Sequence, residues 1–213
     1  MMTANRIKLV ALALFSQKGY EGTALSEIAE KVGIKKPSIY AHYKNKEALF
    51  LSVVADMTAS YAARWDEVIK QTQMLGIEKR LYTLMEETIR HFAREPLHVA
   101  LWIRIWMFPP AGLKDELLQR MKDLHKRLEQ DVTDMIQAGI AKGDVRCGQA
   151  NHMAFAYLSL IDGYLMRVIC YGPGNYTAQT IDIWKCFWEG IRSQEHRKEN
   201  LSERKPSGGT KKC

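Results

Sequence analysis

Between Leu25 and Tyr43 the apolar pattern makes two helical stripes, each too short to stand alone, with Gly33-Ile34-Lys35 between them. Leu25, Ile28, Ala29 and Val32 recur at helical spacing, and Ile39 and Tyr43 repeat it four residues apart. Helices of this length need tertiary packing to exist. Two of them joined by a glycine-containing turn form a helix-turn-helix, whose first helix braces while the second enters a major groove. Thr23 is placed to cap the first of the pair. Gly33 stops it, and Pro37 suits the first turn of the second, where its missing N–H is not needed. The second is expected to run to about Tyr43.

The flanking segments complete a three-helix unit. Ile7, Val10, Ala11, Leu14 and Phe15 share one face of an upstream helix, with Gly19 as a left-handed cap. Asn45 can cap a long fourth helix running from about Lys46 into the 60s or low 70s. The remainder is also helical. Ile77, Leu81, Leu84, Thr88 and Phe92 make a fifth face that Pro96 ends. Leu97 to Phe108 and Ala150 to Cys170 are apolar nearly all round, which predicts buried helices. Leu117, Met121, Leu124, Leu128, Val132 and Met135 form a long stripe ending near Gly143. Ile181, Trp184, Trp188 and Ile191 share the face of a last helix. No strand alternation appears, so the fold is all-α with about nine helices. The polar stretch from His196 reads as a disordered basic tail.

Charge is uneven along the chain. Of the net +7, residues 1–50 carry +4 (8 basic, 4 acidic), residues 51–195 carry −1 and residues 196–213 carry +4. A basic N-terminal unit beside a near-neutral body points to a polyanion at that end. Lys36, Ser38, Tyr40, Ala41 and His42 fall on the outer side of the second short helix. Lysine and tyrosine contact phosphate oxygens, and small residues let a helix approach base edges. Lys46 adds a cation at the first turn of the fourth helix, where the helix start itself favours anions.

The string Phe15-Ser-Gln-Lys-Gly-Tyr-Glu-Gly-Thr23, then Ile28-Ala29, Gly33 and Ser38-Ile-Tyr-Ala-His-Tyr-Lys-Asn-Lys-Glu-Ala-Leu-Phe50, resembles the TetR family of bacterial one-component transcriptional repressors. The resemblance covers about residues 5–50. It implies a helix-turn-helix DNA-binding domain at 1–47, joined by a long helix to a ligand-binding and dimerisation domain at 48–195, with the tail at 196–213. It also implies DNA contacts by Thr23, Ser26, Lys35, Lys36, Pro37, Ser38, Tyr40, Ala41, His42 and Lys46. Two positions depart from the family pattern. Ala24 stands where Ser or Thr is common, leaving Thr23 to cap. Pro37 replaces Gly or Ala and stiffens the recognition helix.

The same resemblance implies a homodimer on a double-stranded DNA operator, released by a small-molecule inducer; no cofactor is expected. Candidate ligand contacts are Tyr82, Met85, Glu86, Phe92, Trp102, Trp106, Tyr157 and Asp162, because aromatic and methionine side chains make adaptable walls for an apolar ligand. Each is also suited to plain core packing. Arg104, Asp162 and Arg167 interrupt apolar helices, and a lone buried charge is costly. Asp162 is either the counter-charge of a cationic ligand or the partner of an arginine, within the subunit or across a dimer. The eighth helix and the Trp-rich face of the ninth are expected at that dimer interface, with Ile161 and Trp188 central to it.

Other classes are excluded by what is missing. No stretch of about 18 uncharged apolar residues exists to span a membrane, and the start lacks the pattern of a secretory signal, so a cytoplasmic protein is expected. Cys147, Cys170, Cys186 and Cys213 form no C-x-x-C pair, and they read as structural thiols. There is no nucleophile elbow, phosphate loop or metal-spaced cluster, so catalysis is not expected. A DNA-binding regulator with no inducer is the alternative reading.

Overall fold

The computed structural model describes residues 3–171 and 176–193. These form helices α1 (Thr3–Lys18), α2 (Leu25–Val32), α3 (Lys36–Tyr40), α4 (Lys46–Thr72), α5 (Ile77–Arg94), α6 (Pro96–Met107), α7 (Lys114–Lys142), α8 (Ala150–Tyr171) and α9 (Tyr176–Ile191), with a 3-10 turn at Ala111–Leu113. Among the described residues the only strand-like pairing is a single bridge between Val145 and Arg192. The expected tail lies outside them.

Local chemistry sets the helix ends. Gly33 closes α2 at φ +76°, and its backbone N–H reaches back to the carbonyls of Ala29 and Glu30. Gly19 turns the chain after α1 at φ +75°. Both are left-handed conformations that cost an L side chain about 1 kcal/mol or more. Asn45 caps α4 as expected, its Oδ1 accepting from Ala48 N at 2.7 Å. Two expectations fail. Ala24, not Thr23, sits at the start of α2, and no side chain caps it. The third helix stops at Tyr40 rather than Tyr43, because residues 41 and 42 already turn toward the Asn45 cap.

Two apolar cores are strung along α4, which at 27 residues spans about 40 Å. The first gathers Ile7, Phe15, Ile28, Ile39 and, from the start of α4, Leu49, Phe50, Val53, Val54 and Met57. It also takes in Leu101 and Ile105 of α6, Leu113, and Leu117 and Met121 of α7. The second core uses the other end of α4, with Tyr61, Trp65 and Val68 set against α5, α7, α8 and α9. Each of the fully buried large side chains contributes about 1.5–3 kcal/mol.

The all-round apolar helices are less buried than their composition suggests. On α6 only Leu101 and Ile105 are buried, and Trp106, Met107 and Phe108 are exposed. On α8 Phe155 and Met166 are exposed, while Ile161 and Tyr157 are enclosed. Trp184 and Trp188 of α9 stack at 5.7 Å inside the subunit. Ile161 and Trp188 are therefore core residues of one chain rather than an outward-facing seam. Cys147, Cys170 and Cys186 are free and exposed, not the buried small hydrophobes expected. No described helix is long and apolar enough to cross a membrane.

Candidate functional site

The helix-turn-helix is held by its own apolar underside. Ile28, Ala29 and Val32 of α2 and Ile39 of α3 are buried on α1 and α4, which leaves the opposite side of α3 turned outward. Lys35, Lys36, Pro37, Tyr40, Ala41 and His42 are all exposed there, with Ser26 on α2 beside them and Ser38 half-buried. Tyr40 keeps nearly half its surface in solvent (49%), unusual for a large ring that could have packed under the helix as Ile39 does. Tyr43 is half-buried, as its inward expectation requires. Two lysines, a phenol and an imidazole thus project from one short segment, a set suited to phosphate oxygens and base edges.

Two of the expected DNA contacts have other partners. Thr23 is buried, and its hydroxyl donates to the Gly19 carbonyl at 2.8 Å, closing the loop after α1. Lys46 extends back over that loop. Its Nζ donates to the Tyr20 carbonyl at 2.9 Å, lies 4.2 Å from the centre of the Tyr20 ring and 3.9 Å from Glu21. Tyr20 in turn packs on Phe15 and Phe50. Lys46 therefore pins α4 to the α1–α2 loop, a structural duty the sequence did not disclose.

In the body, the expected ligand residues divide into two groups. Met85 and Tyr157 are core, the Tyr157 hydroxyl donating to the Leu81 carbonyl at 2.7 Å. Burial pushes that phenol's pKa well up, so it stays neutral. Tyr82 packs on Trp184, and Glu86 pairs with Arg90 at 3.1 Å. The neighbouring Glu87 is largely buried and holds both Arg64 and Arg90.

The second group is a continuous array of rings at the junction of the two cores. Phe92 lies 5.9 Å from Trp102, and Trp102 and Trp106 both meet His125 of α7, at 6.4 and 5.5 Å. Tyr61 of α4 joins Phe92 at 4.9 Å and Trp102 at 6.1 Å, and His91 stacks on Tyr61. Sequence reasoning missed Tyr61, His91 and His125, whose helices were expected but whose meeting at one place is decided by the packing of α4, α5 and α7. Burial raises the Tyr61 phenol, helped by the Asp162 charge, and lowers His91.

Asp162 finds neither of the arginines considered for it. Arg104 bonds the end of α1, with Nε to the Ser16 carbonyl at 2.8 Å and a terminal nitrogen to the Gln17 carbonyl at 2.6 Å. Arg167 lies over the Tyr171 ring. Asp162 and Arg167 are exposed and Arg104 half-buried, so none is the buried lone charge expected; partial desolvation still raises the Asp162 pKa, offset in part by His125. A narrow seam between α1, α4 and α6 is lined by Phe15, Tyr20, Phe50, Leu101 and Arg104. At about 30 Å³ it has room for about one water molecule, too little for a ligand.

Comparison with known proteins bears on the same segment. The family model described as bacterial regulatory proteins, tetR family, matches residues 9–53. The HTH-type transcriptional regulator YvkB of Bacillus subtilis, itself uncharacterized, is 25% identical over 167 residues, which is 78% of this chain and 82% of that protein. The biofilm operon negative regulator IcaR of Staphylococcus epidermidis is 55% identical over 40 residues, 19% of this chain and 22% of that one. In structure, the transcriptional regulator FadR of Bacillus subtilis, solved with stearoyl-CoA, aligns with a TM-score of 0.71 at 16% identity, covering 88% of this chain and 98% of that one. That likeness concerns the fold. A matched recognition segment, an outward-facing α3 and a relative of similar length agree: residues 9–53 match the helix-turn-helix segment of the tetR family of bacterial regulatory proteins, and the chain as a whole is similar in sequence to an HTH-type transcriptional regulator.

Proposed function

We propose that the protein is a cytoplasmic repressor that binds a palindromic operator as a homodimer and lets go when a mostly apolar small molecule enters the body. The observation that carries this reading is the position of α6. Trp102 packs against both cores, and two residues further on Arg104 holds the carbonyl end of α1. A ligand that displaces the ring array displaces α6, and α6 is bonded to the helix on which α2 and α3 rest. Half-sites one turn apart fix the spacing of two recognition helices at about 34–36 Å, so a shift of a few ångström in α1 loses one of them. By linkage, the ligand must prefer the DNA-free form by the factor with which it weakens DNA.

The DNA contacts proposed are Ser26, Lys35, Lys36, Pro37, Ser38, Tyr40, Ala41 and His42, with Lys46 adding charge while it pins the loop. Ligand contacts are narrowed to Phe92, Trp102, Trp106 and Asp162, joined by Tyr61 and His125. The dimer seam is assigned to the exposed face of α8 around Phe155 and Met166. The test starts from genomic fragments captured by the purified protein. Fluorescence anisotropy on such a fragment is then read against a panel of small molecules. Release by at least one compound that also alters tryptophan emission is expected. Tight, specific binding that no compound in a broad panel reverses would favour a regulator without an inducer.

A further inference from the structure

The outward side of α3 is divided by chemistry. Ile39 is fully buried, which fixes how the helix is rotated. At about 100° per residue, Pro37 and Ala41, two positions before and after it, point about 160° away from it, out from the protein. Ala41 follows the last residue of α3 but keeps its rotation, at φ −68° and ψ −20°. Both residues are exposed. Lys36 and Tyr40 share one flank of this ridge and Ser38 stands on the other. The hydrogen-bonding side chains therefore border the outermost line without occupying it. On that line neither side chain donates or accepts, and Pro37 has no backbone N–H either. We infer that the ridge of Pro37 and Ala41 reads thymine 5-methyl groups, so that each half-site of the operator carries thymine where this ridge meets the floor of the major groove. The inference rests on the DNA-binding reading above and supplies what that reading leaves open, the base class selected by the centre of α3.

The major groove offers such a ridge one apolar feature. Every base pair presents donors and acceptors there, and only thymine adds a methyl group. Against Pro37 and Ala41 the polar edge of a G·C pair would lose water without gaining a partner, which is costly. A thymine methyl at the same spot makes the loss of water favourable, because apolar surface is covered on both sides. Size acts in the same direction. Ala41 ends at its Cβ, and the pyrrolidine ring of Pro37 is compact and fixed, so the ridge approaches the bases closely and keeps its shape. The two residues lie four positions apart, about 6 Å along a helix, which is less than two base steps of about 3.4 Å. The thymines they select therefore lie in neighbouring base pairs.

Deoxyuridine tests this without altering the protein. It pairs as thymidine does and differs in the groove only by the missing methyl. A fragment captured from genomic DNA is narrowed by footprinting, and its thymines are replaced by deoxyuridine one symmetric pair at a time. Fluorescence anisotropy at fixed salt gives the affinity of the wild-type chain for each duplex. Removing one methyl from each half-site is expected to weaken binding about fifteenfold at one or two of these pairs and less than about twofold at the others. Ala41→Ser and Pro37→Ser put a hydroxyl on the ridge. After melting curves confirm that they fold, each should lose most of the preference for thymidine over deoxyuridine at its own pair. A half-site without thymine, a deoxyuridine profile flat at every pair, or a thymidine preference left intact by both variants would each overturn the inference. Specific, salt-sensitive binding with a flat profile removes the methyl reading alone and leaves operator binding standing. Failure to select any sequence over competitor DNA overturns both.

Discussion

Arg104 of α6 donates from Nε to the carbonyl oxygen of Ser16, 88 residues earlier in the chain, at 2.8 Å. The contact is reciprocal between the helices, since the Ser16 hydroxyl lies 2.8 Å from the Leu97 carbonyl. The last carbonyls of a helix have no partner within it, and here an arginine from the body satisfies two of them. Arg104→Met keeps the packing of the stem and removes the bonds. It is expected to lower stability by about 1–3 kcal/mol in urea unfolding and to weaken operator binding without any ligand. Unchanged operator affinity would show that α1 does not depend on this tie.

Operator binding should fall steeply with salt. A dimer presenting Lys35, Lys36, Tyr40 and His42 twice would neutralise about six to ten phosphates, losing on the order of a thousandfold or more in affinity between 50 and 200 mM salt. Lys36→Ala should reduce the slope of log affinity against log salt by about two per dimer. Tyr40→Phe should weaken binding while leaving the melting temperature alone, because the ring is exposed. A flat salt response would count against phosphate contact by this face.

Lys46→Ala should behave differently from both. Its ammonium holds the Tyr20 carbonyl and sits on the Tyr20 ring, so the variant should lose melting temperature as well as DNA affinity. A loss of affinity at constant melting temperature would return Lys46 to the group of simple phosphate contacts.

The dimer seam can be separated from the core. Phe155→Arg and Met166→Arg change side chains that are exposed in the single chain, so they should give folded monomers that hold one half-site weakly. Ile161→Arg and Trp188→Arg bury an unpaired charge inside the subunit and should unfold it. Sedimentation together with circular dichroism distinguishes the two outcomes. A wild-type dimer in both surface variants would move the seam elsewhere.

Asp162 should cost the fold stability at neutral pH. Its folded pKa is raised, so its contribution is fully present below the unfolded carboxylate pKa and is lost as pH rises through the folded value. Asp162→Asn should therefore match wild type in acid and become more stable than it once pH exceeds that raised value. His91 has the opposite sign. Its folded pKa is lowered by burial, so its stabilisation is present above the unfolded histidine pKa and lost as pH falls below it. Thermal melts of Asp162→Asn, His91→Gln and wild type across pH test both. An Asn variant less stable than wild type at pH 7 would mean that the carboxylate has a partner after all.

The helix-turn-helix was readable because its signals are local. A glycine at the turn, an asparagine three residues before the amide it caps and an apolar repeat every three or four residues all act within one or two turns of helix. The roles of Thr23 and Lys46 were not readable, since each is decided by the Gly19–Tyr20 loop that folds back on it. The same limit applied in the body. Trp184 and Trp188 looked like a face in search of a second subunit, and only the placement of α5 and α8 reveals that one chain already encloses them. Composition reported correctly that α6 and α8 are apolar. It could not report which of those side chains, Trp106 and Phe155 among them, the monomer leaves uncovered.

The first core does not end where the recognition segment ends. Leu101, Ile105, Leu113, Leu117 and Met121, all more than fifty residues downstream of α3, close over α1 and the start of α4. A fragment cut after the recognition segment would expose that apolar floor and should not hold its shape. Unfolding should accordingly be one cooperative event, with amide exchange in α1 and α6 slowing and quickening together. It also restricts how such a gene can diversify. A foreign sensor body grafted behind residue 47 would lack the side chains that seal the reader, so recombination could exchange the two halves only by carrying α6 and the beginning of α7 along with the DNA-binding end.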